Sequence, residues 1–258
     1  MATARRGTPP VSRRSTSRFF AGPLRDYVLR CLGAQVSLLQ AGCLAPLSEL
    51  GIGELTEGGF EICVTVVDAD SEVARQVLRR AEGGPEGGYE DVITGDLRTV
   101  PIKQRDYDIV YCALLLERVH NVELVLDRLV SALKPGGLLL IRTGDRYCAA
   151  ALLDRLLPAS LRKAVWSRFR PGTPGPFPPV YEKAVSAEGI AGYALLRGLV
   201  IAARASELTR PAQPSGLSSS MRITCTAISW LTRGRYVDSH DELLYVIRKP
   251  QDRFARVV

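Results

Sequence analysis

The sequence lacks the residues and runs that several common functions require. Its 258 residues include two histidines, and its six cysteines are scattered with no CxxC pair, so the ligand spacing of a zinc site is absent and we expect no metal. No run of 18 or more apolar residues occurs, and a helix that spans a bilayer needs such a run. Scattered, unpaired thiols are typical of reduced proteins, so we expect a cytoplasmic location.

An evenly spread positive charge is also lacking. The formal net charge is +7, but residues 1–30 hold seven arginines against the single acid Asp26. The rest of the chain is therefore near neutral, and no basic face for nucleic acid is expected. Residues 1–20 are predicted to be a disordered basic arm. Such an arm could hold the protein to an acidic partner or to a membrane surface.

What the sequence does contain is a regular alternation of short β-branched runs and helical stretches. Five strands are predicted before residue 145, at residues 36–39, 61–67, 90–94, 107–113 and 138–143. Helices of moderate length separate them, which predicts βαβ units and a doubly wound, mostly parallel α/β sheet. In such sheets a ligand binds beyond the carboxyl ends of the strands, beside the first one.

The later chain is less regular, although residues 21–258 are expected to form one domain. The Pro-rich stretch 158–179 is predicted to be an irregular connection, and 207–220 a mobile loop. Helices are predicted at 186–198 and 221–234, and two further strands at 199–206 and 242–250. We expect the segments at about 147–185 and 207–237 to cover the substrate side of the domain.

Three segments together resemble the class I S-adenosylmethionine-dependent methyltransferases. They are "VTVVDAD", "GDLRTVPIKQRDYDIVYCALLLERV" and "LVSALKPGGLLLIR", and the resemblance is good over residues 34–145. It implies a Rossmann-like sheet of seven strands, mostly parallel with the last strand antiparallel, and helices on both faces. It also implies S-adenosylmethionine as the cofactor and a small-molecule methyl acceptor. A homo-oligomer is compatible with the sequence.

The resemblance implies cofactor contacts at the strand ends: Asp68, Ala69, Asp96, Leu97, Cys112 and Ala113. Asp68 would accept hydrogen bonds from both ribose hydroxyls, because a carboxylate can accept two at once. Asp96 would accept from the adenine amino group, with the backbone of Leu97 against the ring. Carbonyls at Cys112 and Ala113 would meet the methionine ammonium.

The glycine motif after the first strand is degenerate. The family's pattern is (D/E)-x-G-x-G, and this chain has Gln40, Gly42 and Leu44 at those positions. Gly42 still lets the backbone pass close to a ligand. A neutral amide at Gln40 replaces the acid, and the side chain of Leu44 replaces the second glycine. We expect weakened cofactor binding, and a catalytically inactive binding or scaffold protein is the alternative.

Few residues are candidates for acid–base chemistry. Methyl transfer mainly requires alignment of the acceptor with the methyl group, sometimes with a general base. Glu117 matches the acid of the family's "LEHV", while Arg118 replaces the histidine. His240 is the predicted base, since the last strand should begin at the acceptor edge; a capping role in a polar loop is the other interpretation. His120 is the second candidate, more consistent with a helix cap.

Two further expectations concern the methyl acceptor and a competing class of enzyme, the nicotinamide-dependent oxidoreductases. Arg142, Asp145 and Arg146 end the fifth strand and could orient an acidic or hydroxylated acceptor, with Tyr147 and Trp230 as walls for an aromatic one. A nicotinamide-dependent oxidoreductase would need G-x-G-x-x-G after the first strand, and "AGCLAPL" lacks it.

Overall fold

The computed structural model of the chain describes residues 13–31, 35–68, 89–169, 179–208 and 216–251. Within these ranges seven strands form one sheet: β1 Val36–Ala41, β2 Ile62–Asp68, β3 Tyr89–Thr94, β4 Tyr107–Ala113, β5 Leu133–Gly144, β6 Val200–Glu207 and β7 Glu242–Arg248. The sheet order is β3-β2-β1-β4-β5-β7-β6. Strands β1 to β5 pair in parallel, and β7 pairs antiparallel with both β5 and β6.

This topology confirms the predicted fold class. The order reverses between β1 and β4, which makes their carboxyl ends the switch point where ligands bind in doubly wound sheets. All seven residues of β4 are buried, as expected for a central parallel strand covered on both faces.

Helices cover both faces of the sheet. The described residues contain α1 Arg13–Arg30, α2 Ile52–Glu57, α3 Val122–Ala132, α4 Ala149–Leu156, α5 Ala159–Phe169, α6 Ala187–Leu196 and α7 Gly216–Leu231. Apolar residues of α1 and α2 pack in one core cluster on one face of the sheet. Those of α3 and α6 pack in a second cluster on the opposite face.

The predicted disordered arm is wrong for residues 13–20, which form the start of α1. Phe20, Leu24 and Val28 are fully buried, and their spacing of four residues makes one apolar stripe along the helix. The Phe20 ring packs edge-on against Tyr111 at 5.8 Å between centroids. Burial of this stripe outweighs the arginine-rich composition. Residues 1–12, the predicted helix after Ser71 and the predicted cofactor contact Ala69 lie outside the described residues.

Two predicted boundaries also change. The pattern "KPGG" predicts a tight turn that ends the preceding helix, but β5 already begins at Leu133. Gly136 has φ +85, and a Cβ on Gly137 would lie 2.7 Å from the carbonyl oxygen of Asp108, so the strand passes this point only with glycines. The stretch 158–179, expected to be irregular, contains α5 up to Phe169. Residues 170–178 lie outside the described part.

Candidate functional site

Asp68 is the centre of the strand-end cluster, and its carboxylate is already engaged. It ends β2 and is fully buried. Its Oδ2 accepts a hydrogen bond from the Cys43 amide at 2.8 Å. The Arg118 nitrogen Nη2 donates to Oδ1 at 2.8 Å and to Oδ2 at 2.9 Å. A guanidinium therefore holds the carboxylate that the resemblance assigns to a ribose.

Arg118 reaches this position from the short 3-10 turn that follows β4. Its side chain is 7% exposed, and its Nε donates to the carbonyl of Leu114 at 3.0 Å. Leu114 has φ +53, which turns the chain back at the strand end. Arg118 thus satisfies both a carboxylate and a strand-end carbonyl with one buried cation.

Gly42 lies directly beneath this cation. It has φ +90, and a Cβ there would lie 2.7 Å from the carbonyl oxygen of Ala113 and 3.5 Å from Nη2 of Arg118. The Gly42 amide donates to the carbonyl of Val67 at 2.9 Å. Only glycine permits this close approach between the β1 loop and the end of β4, so the retained glycine of the degenerate motif is required by the packing.

Gln40, near the end of β1, and Leu44, in the loop that follows, are both buried. The Gln40 amide nitrogen Nε2 donates to the carbonyls of Gly42 at 3.1 Å and Ala45 at 2.8 Å. Its Oε1 is buried and has no hydrogen-bond partner in the described part of the chain. An unsatisfied buried acceptor costs about 1–3 kcal/mol, so Oε1 is poised to accept from a donor such as an ammonium group.

Asp96 and Leu97 occupy the turn after β3. Arg98 donates to both carboxylate oxygens of Asp96, with Nε 2.9 Å from Oδ1 and Nη2 2.8 Å from Oδ2. This side-chain bond, then the Arg98 amide, lowers the pKa of Asp96 to about 2. The Asp96 side chain is 44% exposed and can still be reached by a ligand. The Leu97 side chain packs in the core; their contacts with adenine stay predictions.

The end of β4 carries the remaining predicted cofactor contacts. Cys112 and Ala113 are fully buried. Burial, followed by the charge of Glu117, raises the pKa of the Cys112 thiol well above its usual range. Glu117 accepts a hydrogen bond from the Thr143 hydroxyl at 2.8 Å, and its carbonyl accepts from the Tyr181 amide at 3.1 Å. Glu117 thus ties the covering segment to the ends of β4 and β5.

His240 forms a dyad with Asp145 at the same edge of the sheet. Asp145 follows β5 and His240 precedes β7, and His240 Nε2 lies 2.9 Å from Asp145 Oδ2. The other ring nitrogen, Nδ1, lies 3.2 Å from the Ser239 hydroxyl. The imidazole is 17% exposed. The pairing with Asp145 is not visible in the sequence pattern, because 95 residues separate the two groups.

Arg142 is not available to orient a substrate, which corrects the sequence prediction. Its side chain is 7% exposed, its Nε donates to Glu242 at 2.8 Å and its Nη1 bonds Glu49. The Tyr111 hydroxyl also donates to Glu49, at 3.2 Å. Burial by itself lowers the pKa of the guanidinium, but the charges of Glu242 and Glu49 raise it well above its ordinary value. This ion cluster joins β5, β7 and the turn before α2.

His120 is not the cap of α3. The Glu182 carboxylate accepts from the amides of Asn121 at 2.8 Å and Val122 at 3.0 Å. His120 is 74% exposed, with Nδ1 3.9 Å from the Glu182 carboxylate. An acid supplied by the covering segment therefore caps the helix. Nothing in the local sequence around Val122 signals this distant cap.

Two kinds of feature are absent from the described ranges, a metal-binding cluster and a membrane-spanning helix. No group of three or more histidine, cysteine, aspartate or glutamate side chains there could hold a metal ion. None of the helices resolved in those ranges is long and apolar enough to cross a bilayer.

Comparison with known proteins gives a family match over part of the chain and a shared fold. Residues 47–141 match the family model described as a methyltransferase domain. Comparison with curated proteins gave no match. Loganic acid methyltransferase with SAH shares 11% identity at a TM-score of 0.59, covering 93% of each chain.

Two further solved structures share the fold. Geranyl diphosphate methyltransferase in complex with SAM has 13% identity and a TM-score of 0.55, covering 91% of this chain and 84% of its own. An S-adenosylmethionine-dependent methyltransferase from Mesorhizobium loti has 17% identity and a TM-score of 0.52, and the match covers 88% of this chain and 96% of the other. The chain therefore shares the fold of these S-adenosylmethionine-dependent methyltransferases and carries a segment that matches a methyltransferase domain.

Proposed function

We propose that the chain transfers the methyl group of S-adenosylmethionine to an oxygen or nitrogen atom of a small-molecule acceptor in the cytoplasm. The observation that carries the proposal is the position of Asp68, a buried carboxylate at the switch point that accepts a hydrogen bond from the amide of Cys43, the residue after Gly42. The cofactor supplies an electrophilic methyl group. Two structural relatives are named for small molecules, loganic acid and geranyl diphosphate, and all six cysteines are free, which supports a reducing compartment.

The residues present fit the cofactor once Arg118 withdraws. Asp68 has two carboxylate oxygens for two ribose hydroxyls. The unpartnered Oε1 of Gln40 is an acceptor for the methionine ammonium, replacing the acid of the family motif. Asp96, partly exposed after β3, is available to the adenine amino group. Arg118 must leave the Asp68 carboxylate before ribose hydroxyls can use it.

The His240–Asp145 dyad provides a base on the acceptor side. A carboxylate only accepts hydrogen bonds, so the contact with Asp145 places the proton of neutral His240 on Nε2. The lone pair of Nδ1 then faces the Ser239 hydroxyl, at 3.2 Å. An acceptor hydroxyl or amine that takes the place of Ser239 can give its proton to Nδ1. Asp145 then stabilises the imidazolium that forms.

A second candidate is a methyltransferase-like binding protein without turnover. The Arg118–Asp68 ion pair favours it, because a buried cation already satisfies the ribose carboxylate. The buried Leu44 side chain in place of the second glycine also favours it.

Calorimetric titration of the protein with S-adenosylmethionine and S-adenosylhomocysteine separates these two functions. The first function predicts micromolar binding, about −8 kcal/mol, that is lost in Asp68→Asn. Transfer of a labelled methyl group to a panel of hydroxyl and amine acceptors then identifies the substrate. Absence of binding by folded protein, also after Arg118→Ala, would exclude methyl transfer and leave the non-catalytic function.

A further inference from the structure

Helix α7 presents an apolar stripe to the outside of the protein. The exposed fractions of Ile223, Trp230 and Leu231 are 70%, 83% and 77%. A shallow groove of about 600 Å³ runs along the same face, lined by Arg222, Ile223, Thr226, Ala227 and Trp230. Their spacing of one, four, five and eight residues puts them on one side of the helix. Exposed contiguous apolar surface of this kind marks an interaction site.

The stripe belongs to the acceptor side of the domain. Helix α7 connects β6 to β7, so it lies at the carboxyl edge of the parallel strands. Thr226, on the same side of α7 as the stripe, donates from its hydroxyl to Asp238 at 2.8 Å, and Asp238 lies two residues before His240 in the sequence. Val237 and Tyr147 are joined by a backbone hydrogen bond of 2.9 Å, which ties the end of this segment to the residues preceding α4. The stripe of α7 therefore lies at the same edge of the sheet as the His240–Asp145 dyad.

The exposed charge around the stripe is mainly positive, with Asp238 as the acid that accepts the Thr226 hydrogen bond. Residues 216–237 contain Arg222, Arg233 and Arg235 and no acid, and all three arginines are exposed. Exposed tryptophan and leucine with flanking arginines are the residues that seat helices at a lipid–water interface. Arginines near an anionic lipid surface are attracted to it. Two copies of the same basic face would repel each other across a two-fold axis, which argues against self-association.

We propose that the outer face of α7 at Ile223, Trp230 and Leu231, together with Arg222 and with Arg233 and Arg235 just after the helix, docks the protein on an anionic lipid bilayer. Docking through this face turns the acceptor edge of the sheet toward the membrane. Acceptors that partition into lipid can then reach His240 without crossing bulk water. The docking itself requires neither cofactor nor turnover, so it is tested independently of the proposed methyl transfer.

The test is sedimentation of the full chain with vesicles of phosphatidylcholine, with and without about 30% phosphatidylglycerol. We expect retention on the anionic vesicles only, and release at about 0.5 M salt. Ile223→Ser combined with Trp230→Ser should weaken retention about tenfold or more. Arg222→Gln, Arg233→Gln and Arg235→Gln together should do the same.

The matched control is Leu195→Ser combined with Leu196→Ser, since these leucines of α6 are 81% and 78% exposed and outside the proposed surface. The control should leave retention unchanged. Deletion of residues 1–12 separates the basic arm from α7. Loss of binding on this deletion, with full binding by the α7 variants, would overturn the proposal.

Two other results would also overturn it. Light scattering that shows a dimer which the α7 variants convert to a monomer would make the stripe a contact between copies of this chain. Absence of retention on either vesicle would leave a protein as the partner of the stripe. A blue shift of Trp230 fluorescence on anionic vesicles, measured in Trp166→Phe because the chain has two tryptophans, supports insertion of the stripe itself.

Discussion

Arg118 and Asp68 form a buried ion pair at the switch point of the sheet, with Nη2 2.8 and 2.9 Å from the two carboxylate oxygens. Their side chains are 7% and 0% exposed. Arg98 and Asp96 make an arginine–aspartate pair of equal length one strand away, at 2.8 Å, but with 45% and 44% exposure. The chain therefore contains a buried and an exposed version of the same interaction.

The first prediction compares the stability of these two pairs. Arg118→Ala leaves the Asp68 carboxylate buried without its cationic partner, and removal of one partner from a buried pair costs about 3–5 kcal/mol. Arg98→Ala should change stability far less, because water replaces the arginine at Asp96. Denaturation midpoints in urea measure both. Equal losses for the two variants would show that the Arg118 contact is not the buried pair described here.

The second prediction concerns cofactor affinity. Arg118→His restores the residue of the family motif and frees the Asp68 carboxylate, so S-adenosylhomocysteine should bind about tenfold more tightly. Asp68→Asn should weaken binding in both the parent and the Arg118 variant. Calorimetry on protein shown to be folded by circular dichroism gives the comparison. Weaker binding by Arg118→His would instead make Arg118 a cofactor ligand.

The third prediction concerns the cap of α3. Glu182 accepts two amide hydrogen bonds at the positive end of the helix, so Glu182→Gln should lower stability by about 1 kcal/mol. Glu123→Gln is the matched control, since Glu123 is exposed in the first turn of the same helix. It should cost only a few tenths of a kcal/mol. Chemical denaturation of both variants measures their stability. Equal losses would show that Glu182 acts through its negative charge and not through its two hydrogen bonds.

The fourth prediction concerns the thiols at alkaline pH. Burial is the main cause that raises the pKa of Cys63 and of Cys225 from 9.0 to about 11. Both pKa values are raised by folding, so the neutral thiols stabilise the fold fully below about pH 9. This contribution is lost as the pH rises from 9 through 11. At pH 8 only about one in a thousand of the Cys63 and Cys225 side chains is ionised to the thiolate.

Reaction with a thiol reagent should therefore be slow at pH 8 and about tenfold faster for each added pH unit up to 10. Cys225→Ala should reduce the loss of stability between pH 8 and 10.5, measured from urea midpoints. Rapid reaction of the folded protein at pH 8 would contradict the raised pKa of both thiols.

The sequence predicts the sheet and its binding edge because those depend on local patterns. Strand β4 was predicted at its observed bounds, and Asp68 and Gly42 were predicted to lie at the switch point where they are found. Short β-branched runs and isolated glycines carry that information within a few residues. The helix α1 was missed because its apolar stripe is embedded among arginines.

The partners of the buried charges could not be predicted from local patterns. Arg142 binds Glu49 and Glu242, which are 93 and 100 residues away in sequence. Arg118 was noted as a departure from the family motif, but its contact with Asp68 spans 50 residues. Such pairs form when strand ends that are distant in sequence meet at one edge of the sheet. The effect of the Arg118–Asp68 pair on cofactor binding could therefore be inferred only from the folded structure.

The last prediction concerns the dyad. If Nδ1 of His240 removes the acceptor proton, His240→Ala should lower turnover about 10²–10⁴-fold. It should leave the affinity for S-adenosylhomocysteine unchanged, since His240 lies on the acceptor side. Asp145→Asn should lower turnover less, because an amide can still hold the ring but cannot stabilise the imidazolium.

His120→Ala is the matched control for the His240 variant, because His120 is 74% exposed and is the other histidine in the chain. Methyl transfer to the identified acceptor is measured across pH 6–9 for all three variants. Full turnover by His240→Ala would show that acceptor alignment alone supports the reaction, with no base in the dyad.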